Sequence, residues 1–168
     1  MGLVQMLAQG VPAVLTVGAI SVGIARAAME ATVKYAKERK AFDQTLGDLE
    51  AVQFMIGDMV TSIDAARLLL YRAANSVDKG QPNSIENFIA KVFSGEMALW
   101  VTNNAMQIFG AYGYSKEYPL ERYYRDARAF TFYPIPSELY KAVLGRMLLG
   151  LPLPWKGMPP MGPPGGPR

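Results

Sequence analysis

Apolar residues recur along this chain at steps of three and four, and no stretch sustains the alternation of a half-buried strand. The clearest run is Leu49, Val52, Ile56, Met59, Ile63, Ala66, Leu70 and Ala73. It alternates steps of three and four without a break, the seam of helices packed nearly parallel. Asp48 is placed to cap that helix, and Gly80 stands just past its end. An earlier run, Val17, Ile20, Ile24, Ala27 and Ala31, predicts a first long helix that opens near Pro12 and ends in the polar string Lys37-Glu38-Arg39-Lys40. A third helix is expected from Asn83 or Ser84 to Phe109, with Pro82 just before it and Ile85, Ile89, Val92 and Trp100 facing inward. Each rod of about 28 residues would span about 42 Å.

Beyond Phe109 the punctuation changes. Residues Gly110 to Tyr118 read as a Gly/Tyr loop, and Pro119 to about Ala127 as a short helix rich in Arg and Tyr. Pro134-Ile135-Pro136 breaks the chain before a last helix, which closes the core through Leu139, Val143, Met147 and Leu148. Short links between long rods predict an all-α, up-down four-helix bundle over residues 1–150. From Leu151 to Arg168, seven of 18 residues are Pro and four are Gly, so 151–168 is expected to be a disordered or extended tail, the alternative being a tail that docks through Trp155.

Composition narrows the chemistry. The chain has 168 residues, 51% of them hydrophobic and 18% charged, which suits one domain with a large core. It contains neither Cys nor His. That removes disulfides, Cys/His zinc sites, thiolate nucleophiles, Ser-His-Asp triads and the Glu-x-x-His pairs of di-iron bundles. Lys+Arg exceeds Asp+Glu by 17 to 14, and a net charge of +3 without a sustained basic stripe argues against nucleic acid. The first charge is Arg26, so no basic region precedes the opening apolar run, and polar residues interrupt that run. Neither export nor a membrane span is expected, and the cytoplasm is the default location.

The acids Glu30, Glu96, Glu117, Glu121 and Glu138 show no spacing that pairs them across a cleft. Basic residues gather at Lys34, Lys37, Arg39 and Lys40, and again at Arg122, Arg125 and Arg128. Either group could favour a helix C-terminus or present a forked donor to phosphate.

Three strings together resemble one family. Tyr35-Ala36-Lys37-Glu38-Arg39-Lys40-Ala41-Phe42, preceded by Gly23 and Ala25, is similar to the Y-A-x-x-R-x-x-F signature of acyl-CoA dehydrogenases. Gln107-Ile108-Phe109-Gly110-Ala111-Tyr112-Gly113-Tyr114 resembles that family's Q-x-x-G-G-x-G-Y/F loop. Arg125-Asp126-Ala127-Arg128 matches its R-D-A-R/K segment. The resemblance covers residues 2–150 and only the family's C-terminal helical domain. It implies a bundle that helps to hold FAD at a subunit interface. Arg39 then matches the arginine on the flavin pyrophosphate, Phe42 the aromatic beside the cofactor, and Gln53 a further FAD-contacting glutamine. Gln107 and Gly110 match the loop that approaches the adenosine diphosphate.

The same resemblance exposes departures. The family follows R-D-A-R with a Y-E-G-T-like string whose Glu abstracts the substrate's α-proton. Here the run is Tyr133-Pro134-Ile135-Pro136-Ser137-Glu138, with Pro134 at the place of the base. The alternative base position on the first helix is Ala13, followed by Val14, and the loop's second glycine is Ala111. Three readings follow. In the first, the chain is the C-terminal bundle of a flavoprotein, contributing to FAD binding and subunit assembly, with a separate chain supplying the N-terminal and β domains. In the second, it is a non-catalytic dimeric or tetrameric interaction bundle without flavin. In the third, Glu138 is a relocated base acting on an acyl-CoA.

Overall fold

The computed structural model describes residues 11–80 and 84–152, with the side chains of Val11, Pro12 and Ser84 outside the description. Three long helices come first: α1 (Val11–Glu38), α2 (Glu50–Asp78) and α3 (Ser84–Phe109). A one-turn α4 (Ala111–Tyr114) then leads to α5 (Leu120–Phe132) and α6 (Ser137–Leu148). Between α1 and α2 lie a small hairpin, β1 (Lys40–Ala41) with β2 (Gln44–Thr45), and a 3-10 turn at Leu46–Asp48. The up-down bundle is therefore present. Of the expected tail only Leu151 and Pro152 are described, so that reading lies outside the described residues, as does Pro82.

The α2 seam faces the core: Val52, Met59, Ile63, Ala66, Leu70 and Ala73 are buried, and Leu49 and Ile56 pack at its edge. Gly80 stops the helix with a φ of +67°, a conformation that costs glycine little. Asp48 does not cap α2. Its Oδ2 accepts from the Thr45 hydroxyl (2.7 Å) and the Thr45 backbone N–H (2.9 Å), which closes the 3-10 turn one step earlier. Those two bonds hold the Asp48 carboxyl below its ordinary value.

On α1 the expected stripe is met in part: Val17 is buried, and Ile24 and Ala31 pack at the core's edge. Ile20 is exposed, whereas Val14, Val17, Ser21, Ala25, Ala28 and Thr32 are buried. Two of these are polar, and each hydroxyl donates to its own helix, Ser21 to the Val17 carbonyl (2.9 Å) and Thr32 to the Ala28 carbonyl (2.8 Å). With their hydrogen bonds made internally, small hydroxyl residues can line a close helix contact. Gly18 marks how close: a Cβ there would overlap Leu70 Cδ2 and come within 3.0 Å of Ser94 Oγ. By length and hydropathy α1 could cross a membrane (mean hydropathy 1.4), but its buried stripe packs into this bundle.

The α3 helix is central, touching α1, α2, α5 and α6. Surrounded in this way, it buries residues on several sides and shows no single apolar stripe. Trp100, expected inside, is 41% exposed, while Ile85, Ile89 and Val92 are half-buried. The fully buried cation Lys91 lies on the same helix. The short helix after Pro119 continues to Phe132, and α5 packs on α1 and α3 more extensively than α6 does. The α6 helix belongs to a separate small cluster of Val14, Phe88, Ile135, Tyr140 and Val143, with Leu139 and Met147 at its edge. Leu148 is 72% exposed and closes nothing.

Candidate functional site

One end of the bundle collects the C-termini of α1 and α3 and the start of α2. Its floor is aromatic. Tyr35 stacks on Phe109 with centroids 4.0 Å apart, and Tyr118 meets both rings edge-on at 5.7 and 5.1 Å. Tyr112 of α4 adds a further edge contact to Tyr118 at 6.0 Å. The region read as a Gly/Tyr loop thus contains a helical turn pinned by rings. Burial pushes the Tyr35 phenol above its ordinary value, and the nearby Arg39 cation opposes that shift.

Arg39 stands on this floor, its Cζ 5.5 Å from the Tyr112 ring centroid. Its carbonyl accepts the Leu46 N–H (2.8 Å), which ties the hairpin back onto the end of α1. Among the described residues no carboxylate lies within ion-pair distance of Arg39. The guanidinium fork is therefore open to an anion. The second basic group differs. Arg125 is paired to Glu121 (3.0 Å), Arg128 donates to Thr131 Oγ1 (3.1 Å), and Arg122 lies over the Tyr123 ring.

Phe42 and Asp43 form the two-residue tip of the hairpin, both in the left-handed region at φ of 55° and 61°. Such turns favour Asn or Gly, so a phenylalanine there carries backbone strain. The ring gains no burial in exchange, being 85% exposed. Strain at an exposed aromatic is what a contact outside this chain would explain. Phe42→Asn is expected to stabilise the isolated chain by roughly 0.5–1 kcal/mol, read as a higher urea midpoint.

Gln107 is exposed in the last turn of α3. Gly110, at φ of +60°, has nothing within 4 Å of the Cβ it lacks, so the backbone there is open to close approach. Gln53 donates from Nε2 to the Gly47 carbonyl (2.9 Å) and holds the 3-10 turn against the end of α1. The structure thus brings Arg39, Phe42, Gln53, Gln107 and Gly110 to one end. Tyr112 and Tyr114 join them, both exposed.

Pro134 and Glu138 lie elsewhere. The segment joining α5 to α6 is anchored on α3 by Lys91, which donates to the Ile135 carbonyl (3.0 Å) and Ser137 Oγ (3.2 Å), with the Thr131 carbonyl at 3.5 Å. Lys91 and Gln107 lie on one helix, about 24 Å apart along it at 1.5 Å per residue. Glu138 is exposed in the first turn of α6. Val14, at the alternative site on α1, is buried in the α6 cluster. Of the other acids, Glu30 pairs with Arg26 (3.0 Å) and Glu96 with Lys141, while Glu117 is exposed. Among the described residues no three acids gather to hold a metal. Lys91 and the Tyr35–Phe109–Tyr118 stack escaped the sequence reading. A lone cation inside the apolar run Ile89-Ala90-Lys91-Val92-Phe93 was the available signal for the first.

The class of protein that this fold defines is an all-α helical domain with an open cationic and aromatic end. The profile described as "Acyl-CoA dehydrogenase, C-terminal domain" matches residues 12–149. The chain belongs to the acyl-CoA dehydrogenase family of FAD-dependent oxidoreductases, and what it matches there is the C-terminal domain. It is 43% identical over 135 residues to subunit CarC of the caffeyl-CoA reductase–Etf complex of Acetobacterium woodii, covering 80% of this chain and 36% of that protein. It is 44% identical over 133 residues to the NADH-dependent acryloyl-CoA reductase of Anaerotignum propionicum, covering 79% and 34%. The butyryl-CoA dehydrogenase of Megasphaera elsdenii superposes with a TM-score of 0.79 at 40% identity, covering 81% and 36%. The chain spans about a third of the length of these relatives.

Proposed function

We propose that this chain is the C-terminal bundle of an acyl-CoA dehydrogenase-like flavoprotein, which helps to retain FAD and to assemble subunits while the usual base position holds Pro134. The observation that carries this reading is the open Arg39 fork beside strained, exposed Phe42, with Gln107 and Gly110 at the same end. These residues fit a dinucleotide. A forked cation suits a pyrophosphate, an exposed ring suits a flat apolar cofactor face, and Gly110 leaves room for close backbone contact. Gln53 would steady the turn that carries Phe42. FAD, when bound, supplies the redox chemistry by accepting hydride from the acyl chain.

The separation along α3 supports a shared site. The Arg39 end and the Pro134 segment lie towards opposite ends of α3, so a site that takes Arg39 from one subunit and the Pro134 segment from another would bring both to one cofactor. A dimer or tetramer, or a second chain supplying N-terminal and β domains, fits that arrangement. At the base position Pro134 offers no proton acceptor, and Ile135 is buried with its carbonyl engaged by Lys91.

The test is flavin absorbance and oligomer mass for the chain alone and mixed with a chain supplying the missing domains. Flavin that copurifies only with the mixture, and is held 10–100-fold less tightly (roughly) after Arg39→Ala, is the expected result. A stable oligomer that binds no flavin in either preparation would establish the interaction bundle instead.

A further inference from the structure

The buried cation Lys91 has no part in the flavin reading, and the segment it holds is built differently from the rest of the molecule. The core of α1, α2 and α3 is one continuous cluster. The α6 helix is not in it; it rests on a small second cluster centred on Phe88, Ile135, Tyr140 and Val143. Besides those apolar contacts, polar ties join the segment to α3, two of them made by lysines. One is the exposed pair of Lys141 with Glu96. The other is Lys91, fully buried, whose Nζ lies 5.0 Å from the Tyr140 ring centroid and reaches acceptors on both sides of the chain reversal. Thr131 lies in the last turn of α5, Ile135 sits in the link and Ser137 opens α6, so a single amine spans the whole junction.

We propose that residues 133–148 form a flap that opens as one unit while the three long helices stay folded, and that Lys91 is the clasp that holds it shut. Elements with few contacts to the main core detach at lower free energy than the core itself. The clasp works by donation. Removing it leaves two carbonyls and a hydroxyl without their donor in a site closed to water, and buried acceptors without partners favour opening.

The charge on the clasp works against it. Burial pulls the Lys91 ammonium down to about 8 from an ordinary 10.5, against the pull of Glu138 and Glu96. The charges that act on it are Glu138 of α6 and Glu96 of α3, the latter paired with Lys141 of α6; the Tyr140 ring lies beside it, Arg128 of α5 is bonded to Thr131 Oγ1, and α1 carries no charge before Arg26. Burial pushes the Tyr140 phenol up to about 12, outside the window concerned. Opening returns Lys91 to water and to its ordinary value. Between about pH 8 and 10.5 the closed flap binds fewer protons than the open one, so raising the pH across that window favours closure. Below pH 8 both forms are protonated and Lys91 adds no pH dependence.

Native-state hydrogen exchange on the full chain, corrected for intrinsic rates, tests the flap and the clasp together. In the unsubstituted protein the α6 amides are expected to exchange through an opening that leaves the α1 and α3 amides protected. Lys91→Met is expected to lower α6 protection about tenfold and leave the α1 and α3 amides unchanged. Ser137→Ala removes one acceptor with little change of volume, so it reports on the clasp even where Lys91→Met fails to fold; a drop of about threefold confined to α6 is expected. The closing equilibrium should rise by up to about tenfold per pH unit between pH 8 and 10 in the unsubstituted chain and stay flat in Lys91→Met. Exchange of α6 in step with α1 and α3 would overturn the flap. Unchanged α6 protection in both variants would overturn the clasp.

Discussion

Replacing Phe109 by alanine is expected to lower folding stability by about 3–5 kcal/mol, the range for emptying a buried aromatic site. Phe109 is 3% exposed, lies 4.0 Å from the Tyr35 ring and meets Tyr118 edge-on. Ring pairs of this kind add about 0.5–1.5 kcal/mol beyond their buried area. A domain of this size has on the order of 5–15 kcal/mol in hand, so the loss is a large fraction of the whole. Phe109→Leu refills most of the cavity and forfeits the stack, so about 1–2 kcal/mol is expected for it. Urea unfolding followed by circular dichroism reads both values. An alanine variant within 1 kcal/mol of the parent would show that the stack does not hold this end together. The effect also reaches the site, because Phe109 and Tyr118 carry the turn on which Tyr112 faces Arg39. A Phe109→Leu protein that folds should therefore retain flavin less well, although it changes no residue proposed to touch the cofactor.

How far the sequence could be read depended on how each helix is surrounded. The α2 helix has one buried face, and its seam from Leu49 to Ala73 was visible because every position in it is apolar. The α1 stripe is legible only in part, because Ser21 and Thr32 bury hydroxyls already satisfied by their own helix, which a count of apolar residues scores as surface. The α3 helix is enclosed by four others, so periodicity had no single face to find and Trp100 was placed inside. The hairpin was invisible for another reason: two-residue strands leave no alternation, and the left-handed turn at Phe42-Asp43 breaks the residue preferences that would announce it. The site residues at the Arg39 end came from matched motifs, and the fold then put them together. Lys91 belonged to no motif and gave only a lone charge in an apolar run.

The largest expected effect on activity lies at the α5–α6 link. If the base was lost when Pro134 took its place, restoring it should restore proton abstraction. The triple variant Pro134→Glu, Ile135→Gly, Pro136→Thr, assembled with flavin and the missing domains, is expected to bleach flavin with an acyl-CoA about 10²–10⁴ times faster than the unsubstituted assembly. That is the usual contribution of one positioned general base, and the Glu at 134 is the only carboxylate the substitution adds. The three changes belong together, since Pro136 has no backbone N–H and Ile135 fills the second cluster with a side chain the glycine lacks. Losing Ile135 will weaken the contact of α6 with α3, so thermal melting must accompany the kinetics. The relocated-base alternative predicts the opposite pattern. There the unsubstituted assembly already reduces its flavin, Glu138→Gln abolishes the reaction, and the triple variant adds little. Stopped-flow absorbance of flavin in these three proteins separates the two. Bleaching by the unsubstituted assembly that survives Glu138→Gln would mean that neither the lost base nor Glu138 governs the reaction.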